Sequence, residues 1–82
     1  MYQAINEPVE VLVTFCQRKV LPLFFKWRGQ RYRVERVNLI HSQRDGAEKI
    51  YYFNVSDRAN YFKLAFSTRH LSWELKELYT EG

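Results

Sequence analysis

The most informative segment of the chain is Phe24-Phe-Lys-Trp-Arg-Gly-Gln-Arg-Tyr-Arg-Val-Glu-Arg-Val37, whose pattern predicts a tight β-hairpin. A two-residue type II′ turn needs φ > 0 at its first central position, which favours Gly29-Gln30 as the turn. That turn would place Trp27 opposite Tyr32 and fix the pairing outward along both arms. We therefore predict two antiparallel strands joined at Gly29-Gln30.

Alternation of side chains along each arm separates the aromatic residues of this hairpin from its basic ones. One face carries Phe25, Trp27, Tyr32 and Val34, which we expect in the core. The other face carries the candidate binding residues Lys26, Arg28, Arg31 and Arg33. Like charges directly opposite each other destabilise a strand pair, which favours an anionic partner for this face. The alternative is that the cations only keep an exposed strand pair soluble and prevent edge-to-edge association.

Composition predicts one small, basic, globular domain. The chain has 82 residues, of which 46% are hydrophobic and 17% aromatic, so it is too apolar to be disordered and too short for two domains. Its formal net charge of +4 favours acidic partners such as nucleic acid or an acidic protein surface. The single cysteine, Cys16, excludes an internal disulfide and is expected to pack as a small hydrophobe in a reducing compartment.

Short stretches of alternating or β-branched residues predict six strands and no long helix. The expected strands are residues 9–16, 22–28, 31–40, 48–55, 61–66 and 71–79, with a β-bulge near Arg36. The last segment has two interpretations, because Leu71, Trp73 and Leu75 fit a strand whereas Leu71, Leu75 and Leu78 fit one face of a helix. We favour the strand. Residues 1–8 are expected to form a flexible N-terminal tail.

The predicted fold class is all-β. A meander of short antiparallel strands buries its apolar face without a helix by curling, so we expect a small five- or six-stranded β-barrel in a single domain over residues 1–82. Closure would also remove exposed edges. The expected core residues are Trp27, Tyr32, Val34, Phe53, Phe62, Leu64, Phe66 and Trp73.

Several of these segments together resemble a known bacterial family. The segments are Phe25 to Val37 with its Trp-Arg-Gly hairpin, Tyr51-Tyr-Phe-Asn-Val55, Tyr61-Phe-Lys-Leu64 and Trp73-Glu-Leu75 with Tyr79. They resemble a small bacterial β domain of unknown function, which is found alone and at the C-terminus of Y-family-polymerase-like proteins. The resemblance implies a β fold and a role accessory to DNA repair. The chain departs from the family pattern after the hairpin, at residues 38–45.

No set of residues predicts catalysis. The two histidines, His41 and His70, lack the spacing of a zinc site, and no Gly-rich phosphate loop or nucleophile elbow is present in the sequence. We therefore expect no enzyme activity, no metal and no cofactor. The N-terminus lacks the basic and apolar regions of a signal peptide, and the longest apolar run is too short to span a bilayer, so a cytoplasmic location without membrane contact is expected.

Two functions remain open from the sequence. The first is a non-catalytic module that holds nucleic acid on Lys26, Arg28, Arg31 and Arg33, with Phe24, Tyr51 and Tyr61 as candidate stacking surfaces. The second is a protein-interaction module that binds an acidic peptide at a sheet edge or in an aromatic groove.

Overall fold

Seven antiparallel strands form one sheet in the computed structural model, which describes residues 1–80. The strands are β1 (Tyr2–Cys16), β2 (Lys19–Trp27), β3 (Gln30–Arg33), β4 (Arg36–Asp45), β5 (Glu48–Ser56), β6 (Asn60–Ser67) and β7 (Ser72–Thr80). Their order across the sheet is β3-β2-β1-β7-β6-β5-β4. The all-β prediction is confirmed. Among residues 1–80 there is no helix with the length and apolar character needed to cross a membrane.

The long first strand divides the sheet into two halves. The N-terminal part of β1, Tyr2–Val9, pairs with β7, whereas its C-terminal part, Glu10–Cys16, pairs with β2. We call the second part of β1 with β2 and β3 the short half, and the first part with β7, β6, β5 and β4 the long half. A register irregularity with Asn6 at φ 55° interrupts β1 within the long half. Bulges of this kind increase strand twist and bend the sheet.

The core lies between the inner faces of the two halves. Phe25 of the short half meets Phe62 of the long half edge-to-face, with ring centroids 4.9 Å apart, and stacks on Tyr32 at 5.1 Å. Such aromatic pairs add about 0.5–1.5 kcal/mol beyond the area that they bury. The buried cluster consists of Phe25, Trp27, Phe53, Val55, Phe62, Leu64 and Leu75. Tyr32, Val34, Phe66 and Trp73, which were also expected in the core, are partly buried and pack against it.

The sheet does not close into the five- or six-stranded barrel that the sequence predicted. The expected third strand, residues 31–40, is divided into β3 and β4, which lie at opposite ends of the strand order. Two adjacent residues make this crossing: Val34 N donates to Leu23 O at 2.8 Å, and Glu35 N donates to Ser56 O at 3.0 Å. The segment that was predicted as one strand therefore supplies a strand at each edge of the sheet, and Val34 and Glu35 join the two edges at this corner.

Three smaller predictions also need correction. Residues 2–8 are not a tail, because they form the start of β1 and pair with β7. The interruption expected near Arg36 lies between Val37 and Leu39. Cys16 is exposed rather than packed, since it stands beside the β1–β2 turn and beyond the core. The ambiguous segment is strand β7, in which pairing to both β1 and β6 selects the period of two over the helical period.

Candidate nucleic-acid interface

The hairpin that contains the candidate residues turns one residue earlier than predicted. Its turn is Arg28-Gly29, with φ values of 52° and 76°, and not Gly29-Gln30. Positive φ at both central residues is the requirement of a type I′ turn, whose twist matches that of the flanking strands. The observed pairs are Phe24 with Arg33, Phe25 with Tyr32, Lys26 with Arg31 and Trp27 with Gln30.

The new position of the turn leaves the strand side chains of the hairpin on the faces that the sequence predicted. A turn displaced by one residue shifts the pairing of the arms by two residues, and side chains alternate with a period of two. Phe25 and Trp27 therefore still point to the core, at 2% and 8% exposure. Lys26, Arg31 and Arg33 are all exposed on the opposite face.

Arg28 is separated from the other three candidate cations because it lies in the turn. Its guanidinium donates to both carboxylate oxygens of Glu7, from Nη2 to Oε2 at 2.6 Å and from Nε to Oε1 at 3.1 Å. Trp27 Nε1 donates to the same Oε1 at 2.9 Å, and the guanidinium also lies over the Trp27 ring, 4.7 Å from its centroid. Arg28 thus joins the turn to β1 rather than presenting a free charge.

These contacts shift the protonation equilibria of both partners. The hydrogen bond from Arg28, followed by that from Trp27, lowers the pKa of the Glu7 carboxyl below its ordinary value of 4.5. The hydrogen bond to Glu7 raises the pKa of Arg28. Both groups are therefore ionised at neutral pH, and the charge of Arg28 is balanced locally.

The outer face of the short half brings cations and apolar side chains together in two rows. Cross-strand partners share a face, so one row is Glu10, Lys26 and Arg31, and the next is Leu12, Phe24 and Arg33. We call Lys26, Arg31, Arg33 and Phe24 the cationic face. Within residues 1–80, no ion pair engages any of its three cations.

An aromatic ring lies among these charges. The guanidinium carbon of Arg31 is 5.7 Å from the centroid of the half-buried Phe24 ring. A shallow hollow of about 320 Å³ is lined in part by Leu12, Phe24, Lys26 and Arg31. A planar base or a short apolar group that enters this hollow would meet a ring and a guanidinium together.

The two tyrosines proposed to extend this surface do not reach it. Tyr61 is half exposed on the long half, where it packs beside Tyr79 with ring centroids 6.3 Å apart. Tyr51 pairs across the sheet with Phe66 and lines a different hollow. Only Phe24 remains as the aromatic component of the cationic face.

Sequence reasoning missed the contribution of β1 to this face. Glu10 lies directly opposite Lys26, and Leu12, which is 60% exposed, lies opposite Phe24. The alternation of β1 predicts that Glu10 and Leu12 share a face, but only the register of β1 on β2 reveals which hairpin residues they adjoin.

Neither histidine joins a group of possible metal ligands. His41 stacks on Tyr52, with ring centroids 5.0 Å apart and planes 17° from parallel. His70 is exposed in the β6–β7 turn, where its backbone N–H donates to Ser67 Oγ. No cluster of three His, Cys, Asp or Glu side chains suited to a metal ion occurs in the part of the chain that the structure describes.

The chain matches no known protein-family model, and comparison with curated proteins and with solved structures finds no significant match.

Proposed function

We propose that this protein is a non-catalytic module that binds single-stranded nucleic acid on the cationic face. The observation that carries the proposal is a set of three exposed cations, none of them in an ion pair among residues 1–80, on the same face as the half-buried ring of Phe24. Proteins that bind single strands without sequence preference combine a positively charged surface with aromatic stacking.

Phosphate contacts supply the electrostatic part of this binding. Lys26 and Arg31 are directly opposite each other across β2 and β3, so their mutual repulsion is relieved when a phosphate lies between them. Arg33 extends the same surface by one row. Release of counterions from the strand provides the driving force, with a log–log salt slope of about −0.7 for each single-strand contact.

Stacking supplies the second part. A base placed against Phe24 also meets the guanidinium plane of Arg31, which adds a cation–π contribution. Stacking on one aromatic side chain contributes about 1–3 kcal/mol and tolerates any base. Recognition would therefore depend little on sequence.

The proposal extends to a role accessory to DNA repair. Its support is the resemblance of the hairpin and of the later strands to the bacterial domain that is found alone and at the C-terminus of Y-family-polymerase-like proteins. A small module with a basic surface would help a repair protein to retain its nucleic-acid substrate.

Fluorescence anisotropy with a labelled oligothymidylate about 12 nucleotides long tests this proposal. We expect binding at low salt that weakens with a log–log slope near −2, since three contacts contribute about 0.7 each. The double variant Arg31→Glu/Arg33→Glu should abolish binding while its circular dichroism spectrum remains that of the parent.

The matched control is Arg58→Glu/Arg69→Glu, which changes the net charge equally at two exposed turn positions outside the cationic face. It should retain most of the affinity. Equal loss in both double variants would show that only net charge matters, and an absence of binding at low salt would overturn the proposal.

A further inference from the structure

The open side of the sheet is a seam between two unpaired strand edges. β3 pairs with Phe24–Trp27, and Leu23 O accepts from Val34 N, so among residues 1–80 it is residues 19–22 of β2 that lack a strand partner on the side away from β1. β4 is the last strand of the order, and within the described residues 1–80 no strand pairs with it on the side away from β5. Val34 and Glu35 close this seam at one end, through their bonds to β2 and β5.

Two adjoining hollows occupy the seam. One, of about 440 Å³, is lined by Arg18, Lys19, Val20, Ile40, Tyr51, Phe53 and Phe66. The other has a volume of about 460 Å³ and two walls. Residues 37–40 of β4 form one wall, and the opposite wall comes from the β1–β2 turn region and β2, with Cys16, Gln17, Lys19 and Leu21. Lys19 and Ile40 belong to both hollows. Apolar side chains therefore lie beneath two strand edges whose backbone N–H and C=O groups have no strand partner in the part of the chain that the structure describes.

The seam is also basic. Arg18 and Lys19 line it from the side of β2, and no aspartate or glutamate among residues 1–80 lines either hollow. The β1–β2 turn that carries Arg18 is Gln17-Arg18, with φ values of 51° and 65°. Neither residue favours this left-handed region, which costs about 1–2 kcal/mol per residue, so the turn holds Arg18 at the seam against a local preference.

We propose that the seam binds an extended acidic segment of a partner protein as an added strand on the free edge of β4. This second site is separate from the cationic face. Main-chain hydrogen bonds to a sheet edge supply affinity in this mode, and alternate side chains supply specificity. The apolar side chains of the segment cover Tyr51 and Phe66, and its carboxylates meet Arg18 and Lys19 across the seam.

β4 is the better template of the two edges. Its pairing with β5 is regular from Leu39 to Asp45, and Leu39 and Ile40 are 53% and 38% exposed. β2 carries Pro22, which lacks an N–H, beside a register irregularity opposite Leu12 and Val13. A second copy of this chain is disfavoured as the occupant because it would bring another net charge of +4 to a basic seam.

The test uses a fluorescein-labelled peptide with the sequence Asp-Val-Asp-Leu-Asp-Val and the full chain. We expect saturable binding of the peptide. Lys19→Glu should weaken the affinity about tenfold, whereas the control Arg58→Glu, which changes the charge equally, should keep the affinity within about twofold of the parent. Arg31→Glu/Arg33→Glu should leave peptide binding unchanged, which separates this site from the proposed nucleic-acid site.

Peptide analogues and site-specific readouts test the strand geometry. Grouping the same residues as Asp-Asp-Asp-Val-Leu-Val, or methylating alternate peptide nitrogens, should abolish binding. The bound peptide should slow amide exchange of residues 39–43 and slow the reaction of Cys16 with a thiol reagent.

Three results would overturn the proposal: retained affinity for the methylated peptide, exchange protection confined to β3, or a concentration-dependent dimer that buries residues 39–43. A seam that binds oligothymidylate and not the peptide would likewise count against it.

Discussion

Glu7 and Arg28 connect the middle of β1 to the β2–β3 turn through a two-point ion pair, with the shorter contact at 2.6 Å. Glu7 also accepts from Trp27, so one carboxylate holds both the last residue of β2 and the first residue of the turn. This arrangement favours the turn at Arg28-Gly29, since a turn displaced by one residue would move Arg28 into the strand and away from Glu7.

Stability should depend on pH through Glu7. Its pKa is lowered in the folded chain, so its contribution is fully present above about pH 4.5, the ordinary glutamate value, and is lost as the pH falls through the lowered pKa. Glu7→Gln keeps an acceptor for Trp27 but removes the charge. Thermal unfolding followed by circular dichroism should show the parent melting above the variant at pH 7, with the gap closing toward pH 3. A constant gap would contradict this account.

Substitutions in the β1–β2 turn should increase the stability of the protein. Gln17→Asn/Arg18→Gly supplies the residues that type I′ turns prefer and should raise the free energy of unfolding by about 1 kcal/mol in urea denaturation. Gly46→Ala makes the opposite change. Gly46 has φ 62° and no atom lies within 4 Å of the added Cβ, so this variant should lower the free energy of unfolding by about 1 kcal/mol through backbone strain alone. Lower stability in the Asn-Gly variant would refute the assignment of strain to this turn.

A truncated core side chain on the inner face of β7 should destabilise the fold strongly. Leu75 has 0% exposure, so Leu75→Ala should lower the free energy of unfolding by about 2–5 kcal/mol, a large share of the total for a domain of this size. Leu12→Ala, at a position that is 60% exposed, should change it by less than about 0.5 kcal/mol. Urea denaturation at low temperature compares the free energies of unfolding of the two variants. Equal losses in both would mean that Leu75 is not part of the core.

Stacking and charge on the cationic face should be separable. Phe24→Ala should weaken oligothymidylate binding by about 1–3 kcal/mol without changing its salt slope, because it removes a ring and no charge. Arg33→Gln should reduce the magnitude of the slope by about 0.7. Anisotropy titrations over a range of salt concentrations measure both quantities. A changed slope in Phe24→Ala would mean that the ring acts by positioning the cations.

Local pattern was sufficient to predict most of the strands and the inner face of the hairpin. The period of two at Phe25 and Trp27 depends on neighbouring residues, and the structure has this feature. The division at Val34-Glu35 could not be predicted, because it depends on bonds to Leu23 and Ser56 that are set by the tertiary arrangement. The strand at residues 71–79 was favoured over a helix from the sequence, and pairing of β7 with both β1 and β6 accounts for its period of two.

The candidate site was predicted less completely than the fold. Exposure of Lys26, Arg31 and Arg33 follows from alternation alone. The removal of Arg28 from this group depends on Glu7, twenty-one residues earlier in the chain, and no local pattern indicates that pairing. The seam could not be predicted from the sequence either, because it lies between an edge of β2 in the short half and an edge of β4 in the long half.

The position of β1 between β2 and β7 has a consequence for how the chain reaches its native state. β1 can form its hairpin with β2 early, but Tyr2–Val9 must wait for β7, the most distant strand in sequence, before their ladder can form. Closing so long a loop makes folding slow compared with folds of local contacts. During synthesis on the ribosome, half of β1 therefore remains an open edge until the seventh strand emerges, and this interval is when the chain is most exposed to aggregation.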